Sequence, residues 1–287
     1  MKNIIVMNGE IDWPEYFPGY AVHHRRIQQS SWLYHQGTLW IFDASGGQRV
    51  DAVLWRIGAI KPHPGQRHAL ELIRMAGVPC LNPASVLLRG YDRLSMLNDL
   101  REAELPIQSF SVTLGERVLD LLYPNFPVVL KVGNFHGGFG KMRVEGEEQW
   151  ADARDMTFIT EDYATLEPYI DYARDIRCLA VGEQIWAMVR RGTSWKANTQ
   201  TQEYKIIPVP PQLEIYTRCA MKHLQADVLA LDFLEKHDRS YVLLESNDIP
   251  GFSGFPVTVR EAVALRLCAK LEGNAGLSKR DNGLHGV

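Results

Sequence analysis

The chain has 287 residues, of which 46% are hydrophobic and 23% are charged, and its formal net charge is -3. This composition is ordinary for a globular protein and supplies enough core for one large domain or for two to three small ones. A slightly acidic balance argues against a general nucleic-acid binder, whose surface is usually basic, although a nucleic-acid end as a substrate stays open.

The sequence contains neither a secretory signal nor a membrane span that we can identify. The strand-like run Met1–Asn8 is too short for the apolar region of a signal peptide, and no run approaches the ~18 apolar residues of a membrane helix. The four cysteines lie far apart without C-x-x-C spacing, which is typical of reduced thiols. We therefore expect a cytoplasmic protein.

Residues 1–89 are predicted to form a parallel α/β domain. The predicted strands are Ile4–Met7, Leu39–Phe42, Ala52–Trp55 and Val78–Leu81, and the predicted helices are His23–Tyr34 and Arg67–Ala76. Short apolar strands separated by helices favour a parallel sheet with right-handed crossovers.

Residues 90–165 are predicted to form a small α+β lid. Its predicted helices are Leu94–Ala103 and Gln149–Asp155, and its predicted strands are Ser109–Val112, Val128–Val132 and Met142–Val144. Residues 166–273 are predicted to form a second α+β lobe. Its predicted strands are Ile176–Val181, Ile185–Val189, Val228–Leu234 and Ser240–Glu245, and its predicted helices are Leu213–Leu224 and Val259–Leu271. The polar tail, residues 274–287, is predicted to be disordered.

A lysine strand followed by a glycine loop is the most informative motif. An apolar run ends in Lys131, and Gly137, Gly138 and Gly140 precede a second lysine, Lys141. Glycines let backbone N–H groups approach phosphate oxygens, and lysines neutralise them, so the motif predicts a polyphosphate site. Glycine-rich hairpins without a ligand are common, and Lys131 could be an edge lysine. Its burial without an anion would, however, be costly.

A carboxylate hairpin near the C-terminus predicts a metal site. If Glu235 pairs with Ser240, then Asp232 shares one face with Glu245 and Asn247, because side chains alternate along strands. Two carboxylates and an amide oxygen suit Mg2+, which is usually held by few protein groups together with nucleotide phosphates. The alternative is a solvated hairpin face with unrelated acids.

Other polar residues offer anion-binding or hinge functions. Arg177, Arg190, Lys196 and Asn198 could clamp phosphate or carboxylate, although each alone is more often a surface residue. Arg56 follows a predicted parallel strand, where open α/β sheets bind ligands, and is a candidate substrate anchor. A further segment could pair its backbone with an adenine edge or be a plain linker: Glu167, Pro168, Tyr169 and Ile170.

In this order, these residues resemble the ATP-grasp superfamily, in particular the branch of synapsins and ribosomal-protein glutamate ligases. The resemblance covers about Ala52 to Leu271. It is carried by Asp51–Gly58, Arg67, Ala76–Asn82, Pro127–Lys131, His136–Lys141, Glu167–Ile170, Asp175–Arg177, Arg190, Trp195–Asn198, Asp232, Glu245–Asn247 and Asp248–Gly251. Arg93 stands where the family usually has a lysine, and Gly251–Phe255 has no counterpart that we can identify.

The resemblance implies a three-lobed ATP-grasp fold: an N-terminal parallel α/β (pre-ATP-grasp) domain and two α+β lobes that sandwich the nucleotide. It implies that ATP is bound by Arg93, Lys131, Gly137, Gly138, Gly140, Lys141, Glu167, Pro168, Tyr169, Ile170, Asp175, Lys196 and Asn198. It implies Mg2+, with Mn2+ as an alternative ion, on Asp232, Glu245 and Asn247, and catalytic roles for Lys141, Arg177 and Arg190. The candidate substrate residues are Arg56, Arg67, Gly251 and Ser253.

The implied activity is that of an ATP-dependent carboxylate–amine ligase, which forms an acyl phosphate and then an amide. The expected partners are small-molecule or peptide carboxylates and amines, with no membrane or nucleic acid. We also expect a homo-oligomer, because related folds are often dimers or tetramers. Three alternatives stay open: a synapsin-like ATP-binding regulator, a small-molecule kinase on this fold, and a structural or interaction protein.

Overall fold

The computed structural model of the chain describes residues 1–58, 63–90, 92–115, 118–135, 137–160, 162–192, 195–196 and 201–281, with side chains up to residue 273. Within these ranges the chain forms mixed α/β structure with four β-sheets, which confirms the expected fold class. None of the helices in these ranges is both long and apolar enough to cross a membrane.

The N-terminal part contains the expected parallel sheet. Its elements are β1 (Asn3–Met7), β2 (Ala21–Arg25), β3 (Ser31–His35), β4 (Thr38–Asp43), β5 (Gly46–Arg49), β6 (Ala52–Trp55), α1 (Pro64–Met75), β7 (Cys80–Leu81) and α2 (Ala84–Arg89). The parallel strands lie in the order β2-β1-β6-β7. β6 is buried at every position and β1 at all but its first, as expected for strands covered on both faces.

The helix predicted over His23–Tyr34 is wrong. This segment forms β2, a short 3-10 turn at Ile27–Gln29, and β3. His23 lies opposite Ile5 in the parallel sheet, so pairing with a strand distant in sequence outweighs the local helical character. The predicted strand Leu39–Phe42 is present within β4, but it belongs to a separate antiparallel sheet, β3-β4-β5, rather than to the parallel one.

The central part forms one antiparallel sheet with two helices. Its elements are α3 (Arg93–Glu102), β8 (Ser111–Thr113), β9 (Val128–Val132), β10 (Lys141–Val144), α4 (Glu147–Phe158) and β11 (Ala164–Pro168). The strand order is β10-β9-β11-β8. Asp92 caps α3 by accepting a hydrogen bond from the backbone N–H of Leu94 at 2.8 Å. β11 crosses the expected domain division at 165/166 and pairs with β9 along its whole length.

The C-terminal part is built on a five-stranded antiparallel sheet. Its elements are β12 (Arg174–Val181), β13 (Gln184–Gly192), β14 (Thr201–Ile207), α5 (Pro211–Leu224), β15 (Val228–Glu235), β16 (Tyr241–Asn247) and α6 (Thr258–Asp281). The strand order is β14-β13-β12-β15-β16, so β15 lies between two neighbours and is buried at every position. Val259, Val263 and Leu267 of α6 share a buried cluster with Ile4 and Val6 of β1. The last helix therefore joins the C-terminal sheet to the parallel sheet.

The last helix also extends further than the sequence predicts. α6 continues through residues 274–281, where we expected a disordered tail, and residues 282–287 lie outside the described part of the chain. Ala275, Leu277 and Lys279 have high intrinsic helix propensity, which the polar character of the tail does not reveal.

Candidate active site

Two lysines from neighbouring strands lie side by side in the central sheet. Lys131 of β9 is directly opposite Lys141 of β10, so both side chains leave the same face of the sheet. Lys131 is only 7% exposed, and its ammonium group donates a hydrogen bond to Glu167 of β11. Burial and the nearby guanidinium of Arg93 lower the pKa of Lys131 to about 7, although Glu167 opposes the shift.

Arg93 links this lysine pair to the C-terminal sheet. Its guanidinium lies 3.4 Å from Glu167 and 3.7 Å from Glu245 of β16. The ammonium group of Lys141 approaches the same Glu245 carboxylate at 3.4 Å. Burial would raise the pKa of Glu245, but Lys141 and Arg93 outweigh it and hold this pKa at about 2. Glu245 is therefore an anion that the central lobe meets with two cations.

Asp232 is the most deeply buried acid of the site, with 0% exposure. It lies opposite Arg177 of β12, whose Nε and Nη2 atoms each donate a hydrogen bond to the carboxylate at 2.7 Å. Arg190 of β13 lies 3.0 Å from Asp232 and donates to Asp175 at 2.6 Å. Asp175 therefore orients Arg190, whereas Arg177 and Arg190 neutralise Asp232. The carboxylate of Asp232 also raises the pKa of Arg177.

The carboxylate hairpin converges as predicted, but its register differs. Glu235 pairs with Tyr241 rather than with Ser240, and a bulge near Asp232 then brings Asp232 directly opposite Glu245. The bulge is necessary because an unbroken ladder would turn Glu245 to the other face. The side-chain amide of Asn247 donates to Asp232 at 3.3 Å, so all three predicted metal ligands meet on one face.

One cleft is lined by the lysine pair and, at an aromatic end, by tyrosine and tryptophan side chains. The segment Glu167–Ile170 lines it together with Tyr172, Trp195 and Lys196. The ring centroids of Tyr169 and Trp195 lie 6.4 Å apart, and the guanidinium of Arg143 lies 3.9 Å above the Tyr169 ring. Arg143 and the hydrogen bond from Gln108 to the carbonyl oxygen of Pro168 were not predicted from the sequence.

The glycine loop covers one side of the site. Gly137, Gly138 and Gly140 all have positive φ angles, between 64° and 82°, which residues with a Cβ atom adopt at a cost. Lys196 donates a hydrogen bond to the carbonyl oxygen of Gly138 at 3.0 Å and so connects the loop to the segment beyond β13. The predicted ligand Asn198 and the loop residue His136 lie outside the described residues.

A second cleft also reaches Glu245. Arg93, Gly137, Glu245 and Asn247 line it on the side of the lysine pair. The remaining described lining comes mostly from the parallel domain and α3: Trp55, Ile57, Gly58, Gln66, Leu70, Leu87, Gly90, Met96, Phe135, Ser246, Asp248 and Ile249. The two clefts meet at Glu245, which lines both.

The four predicted substrate residues are not among the described residues that line either cleft. Arg56 donates to the carbonyl oxygen of Pro250 at 2.8 Å and lies 4.2 Å above the ring of Phe252. Arg67 points to solvent from α1, and the adjacent Gln66 lines the second cleft instead. Gly251 and Ser253 are exposed.

Asp248 is a cleft residue that the sequence indicated only as part of a turn. Burial raises its pKa to about 7, against the opposing effect of the backbone N–H groups of residues 248 and 249. Its backbone carbonyl accepts a hydrogen bond from Asn82, which also bonds to the backbone of Asp227 and Val228. The sequence around Asp248 does not indicate that this residue lines a cleft, because the cleft forms only when segments distant in sequence come together.

The described cluster is close to electrical balance. Five cations face four carboxylates: Arg93, Lys131, Lys141, Arg177 and Arg190 against Glu167, Asp175, Asp232 and Glu245. A triphosphate would therefore enter more favourably with a compensating cation than alone, since carboxylates already offset most of the positive charge. The arrangement can thus hold a polyphosphate together with a divalent metal ion.

Comparisons with known proteins identify the family. The family model described as "Synapsin, ATP binding domain" matches residues 106–250. The glutamate–LysW ligase ArgX of Sulfurisphaera tokodaii is 25% identical over 223 residues, covering 72% of this chain and 77% of the relative. A probable alpha-L-glutamate ligase of Pseudomonas putida is 28% identical over 236 residues, covering 79% of this chain and 77% of the relative.

The fold has solved counterparts as well. The RimK domain protein ATP-grasp of Sphaerobacter thermophilus superposes with a TM-score of 0.71 and 17% identity, covering 93% of this chain and 98% of that one. This similarity establishes the ATP-grasp fold that the resemblance implied.

Proposed function

The chain belongs to the family of the synapsin ATP-binding domain, and from that premise we propose that it is an ATP-dependent carboxylate–amine ligase that works through an acyl phosphate. One observation carries the proposal. The paired lysines of the central sheet face the Asp232, Glu245 and Asn247 group of the C-terminal sheet at the junction of two clefts. We place the nucleotide in one cleft, and the other opens toward the same reacting centre.

The nucleotide would lie along the first cleft. Its base fits the aromatic end, where Tyr169 and Trp195 offer ring faces and the backbone of residues 167–170 offers polar groups. Its phosphates would extend toward Lys131 and Lys141 and lie under the glycine loop. Lysine ammonium groups and loop N–H groups suit phosphate oxygens.

The residues fit a magnesium ion, which the ATP-grasp relationship implies. Asp232, Glu245 and Asn247 place two carboxylates and a side-chain amide on one face, a hard-oxygen donor set of the kind Mg2+ prefers. The near balance of charge in the cluster gives an independent reason for a divalent ion to accompany the triphosphate. When bound, Mg2+ would neutralise phosphate charge; Mn2+ could replace it.

The reaction joins a carboxylate to an amine in two steps. A carboxylate oxygen attacks the γ-phosphorus, the bond to the β,γ-bridging oxygen breaks, and ADP leaves with those electrons. The amine nitrogen then attacks the acyl carbon, phosphate leaves, and the nitrogen loses a proton. Phosphoryl transfer of this kind depends mostly on positioning and charge stabilisation, and positioning alone can supply roughly 7–11 kcal/mol.

Four basic residues supply the charge that the first step needs. Lys131 and Lys141 approach from the central sheet, whereas Arg177 and Arg190 approach beside Asp232 from the C-terminal sheet. These cations would offset the repulsion between the entering carboxylate and the triphosphate. The glycine loop, which Lys196 holds at Gly138, would exclude water that otherwise hydrolyses an acyl phosphate.

Glutamate is the first substrate to test, because the two relatives are named as glutamate ligases. Small molecules, peptide ends and protein tails are all included in the substrate class that we propose. We propose that the protein acts in the cytoplasm, where ATP is available. We also propose that it is a homo-oligomer, which a molar-mass measurement by light scattering would test.

The test is a screen for ADP release. The twenty amino acids, singly and in pairs, are incubated with Mg-ATP, and mass spectrometry identifies any new amide. Because every amino acid carries both groups, the active mixture is repeated with the N-acetylated and with the carboxamide forms of its amino acids. A ligase should release ADP only when a free carboxylate and a free amine are both present, and Glu245→Gln should abolish the release.

Other outcomes would replace the proposal. A phosphorylated product formed without an amine would indicate a kinase. Tight Mg-ATP binding without turnover in any mixture would indicate a synapsin-like regulator. Failure of saturating Mg-ATP to raise the melting temperature would indicate a structural protein, because a ligand at 100 times its Kd should stabilise by about 2.7 kcal/mol.

A further inference from the structure

Asp248 holds a fixed place at the edge of the reacting centre. It directly follows the proposed metal ligand Asn247 and lines the second cleft together with Glu245. Its backbone is anchored by Asn82, which is 2% exposed and donates to the carbonyl oxygens of both Val228 and Asp248. The turn that presents the Asp248 side chain is therefore held rigidly against the C-terminal sheet.

The Asp248 carboxylate differs from the other acids of the site. Glu167, Asp175, Asp232 and Glu245 each lie within 4 Å of a lysine or arginine. Asp248 forms no ion pair with any residue in the described part of the chain. The carboxylate instead packs against the backbone of Gly90, where an added Cβ atom would lie 2.3 Å from its Oδ2 atom.

The rest of the second cleft makes an unpaired carboxylate costly. Most of the described side chains around it are apolar, including Trp55, Leu87, Met96 and Ile249. A carboxylate in such surroundings is stabilised when a cation accompanies it. A basic side chain meets each of the other four acids, so the cation that Asp248 lacks is one that a ligand can bring.

We infer that Asp248 binds the ammonium group of the amine substrate. The inference rests on the proposed ligase function, whose second step brings an amine to this side of the triphosphate site. A carboxylate substrate would be repelled by Asp248 and would be drawn to Arg93, which lines the same cleft. The apolar lining selects an amine carried on an apolar body, and Asp248 sets the position of its nitrogen, which attacks the acyl carbon after the ammonium has given up one proton to solvent.

The role is tested by comparing an amine that binds as its ammonium ion with a nucleophile that is neutral at pH 7. The amine probe is the amino acid that releases the most ADP from the wild type in the screen, and the neutral probe is hydroxylamine, which traps acyl phosphates. Asp248→Asn keeps the shape of the side chain and removes its charge. It should raise the KM for the amine tenfold to a hundredfold, about 1.4–2.7 kcal/mol, while the KM for ATP and the rate with hydroxylamine stay near wild type.

Two further variants separate charge from general disturbance. Asp171→Asn removes an acid whose side chain is 85% exposed and should change none of these constants. Gly90→Ala keeps the Asp248 charge but displaces the carboxylate, since the added Cβ atom would collide with it; the variant should raise the KM for the amine in the same way.

The outcomes are distinguishable from failure of the proposed function. If the wild type makes neither amide nor hydroxamate, the ligase proposal fails. If the wild type is active and Asp248→Asn leaves the KM for the amine unchanged, the inference is wrong and the ligase proposal stands. Equal losses with the amine and with hydroxylamine would also overturn it, because they would indicate a disturbed phosphate site rather than a lost ammonium contact.

Discussion

Replacing Asp232 with asparagine perturbs the centre of the proposed metal site. The carboxylate is fully buried and accepts two hydrogen bonds from Arg177, and Arg190 lies 3.0 Å away. The Asp232→Asn side chain has nearly the same shape, so the packing of β15 should survive. The change removes the negative charge and leaves Arg177 without its counterion, whereas Arg190 keeps Asp175.

The expected cost follows from the burial of this pair. Removing one partner of a buried ion pair costs about 3–5 kcal/mol, because the remaining charge stays desolvated without its counterion. A domain of roughly this size loses about 2–4 °C of melting temperature per kcal/mol, so Asp232→Asn should melt roughly 6–20 °C below the wild type.

Glu235→Gln is the matched control. Glu235 lies on the same strand and is 2% exposed, but its partners are the more exposed Arg174 and Arg239, outside both clefts. We expect a smaller loss of about 1–3 kcal/mol, since water can solvate these arginines. Both variants are unfolded by heat, with and without Mg-ATP at 100 times the wild-type Kd.

The nucleotide response discriminates between the two variants. The wild type and Glu235→Gln should gain about 2.7 kcal/mol from Mg-ATP. Asp232→Asn should lose the part of this gain that depends on magnesium. If Asp232→Asn keeps a full magnesium-dependent gain, this carboxylate is not a metal ligand. If Asp232→Asn melts with the wild type, the carboxylate is not the stabilising counterion of Arg177.

Three other predictions concern the nucleotide, the base and the fold. ATP binding at pH 8 should take up close to one proton, because the pKa of Lys131 is about 7 in the free protein and bound phosphate raises it. Titration calorimetry in buffers of different ionisation enthalpy measures this proton uptake. The uptake by Lys131 should vanish at pH 5, where the free lysine is already protonated, and in Lys131→Met. Tyr169→Ala should weaken ATP binding by about 1–3 kcal/mol without changing the magnesium dependence, and an unchanged Kd would remove the base from the aromatic end. Asn82→Ala should lower the free energy of unfolding by about 2–5 kcal/mol in urea, since the buried backbone N–H groups of Asp227 and Val228 lose their acceptor; a loss below 1 kcal/mol would contradict this role.

The local signals in the sequence predicted much of the nucleotide side. Lys131 and Lys141 were predicted to be phosphate-binding residues because the lysines and the glycines of the motif lie within one short segment of the chain. The alternation of Asp232 and Glu245 with their neighbours predicted a shared face. The predicted pairing of Glu235 with Ser240 was wrong, because the bulge near Asp232 depends on backbone geometry that the residue types do not indicate.

Pairings between distant segments were the main failures. His23–Tyr34 was predicted as a helix because its local pattern does not reveal that β2 pairs with β1. The predicted substrate residues failed to meet the clefts for a related reason. Arg56 ends a parallel strand as expected, but its guanidinium turns to Pro250 and Phe252, which only the folded chain brings near. Asp248 was missed as a cleft residue because its surroundings come from several separate segments.

Transfer of an oxygen isotope tests the central claim most directly. The carboxylate substrate found in the screen is labelled with 18O, and the phosphate released during amide formation is analysed by mass spectrometry. Attack of the carboxylate on ATP, followed by displacement of phosphate by the amine, predicts one labelled oxygen in each phosphate. Unlabelled phosphate, formed at the same rate as the amide, would contradict an acyl-phosphate ligase.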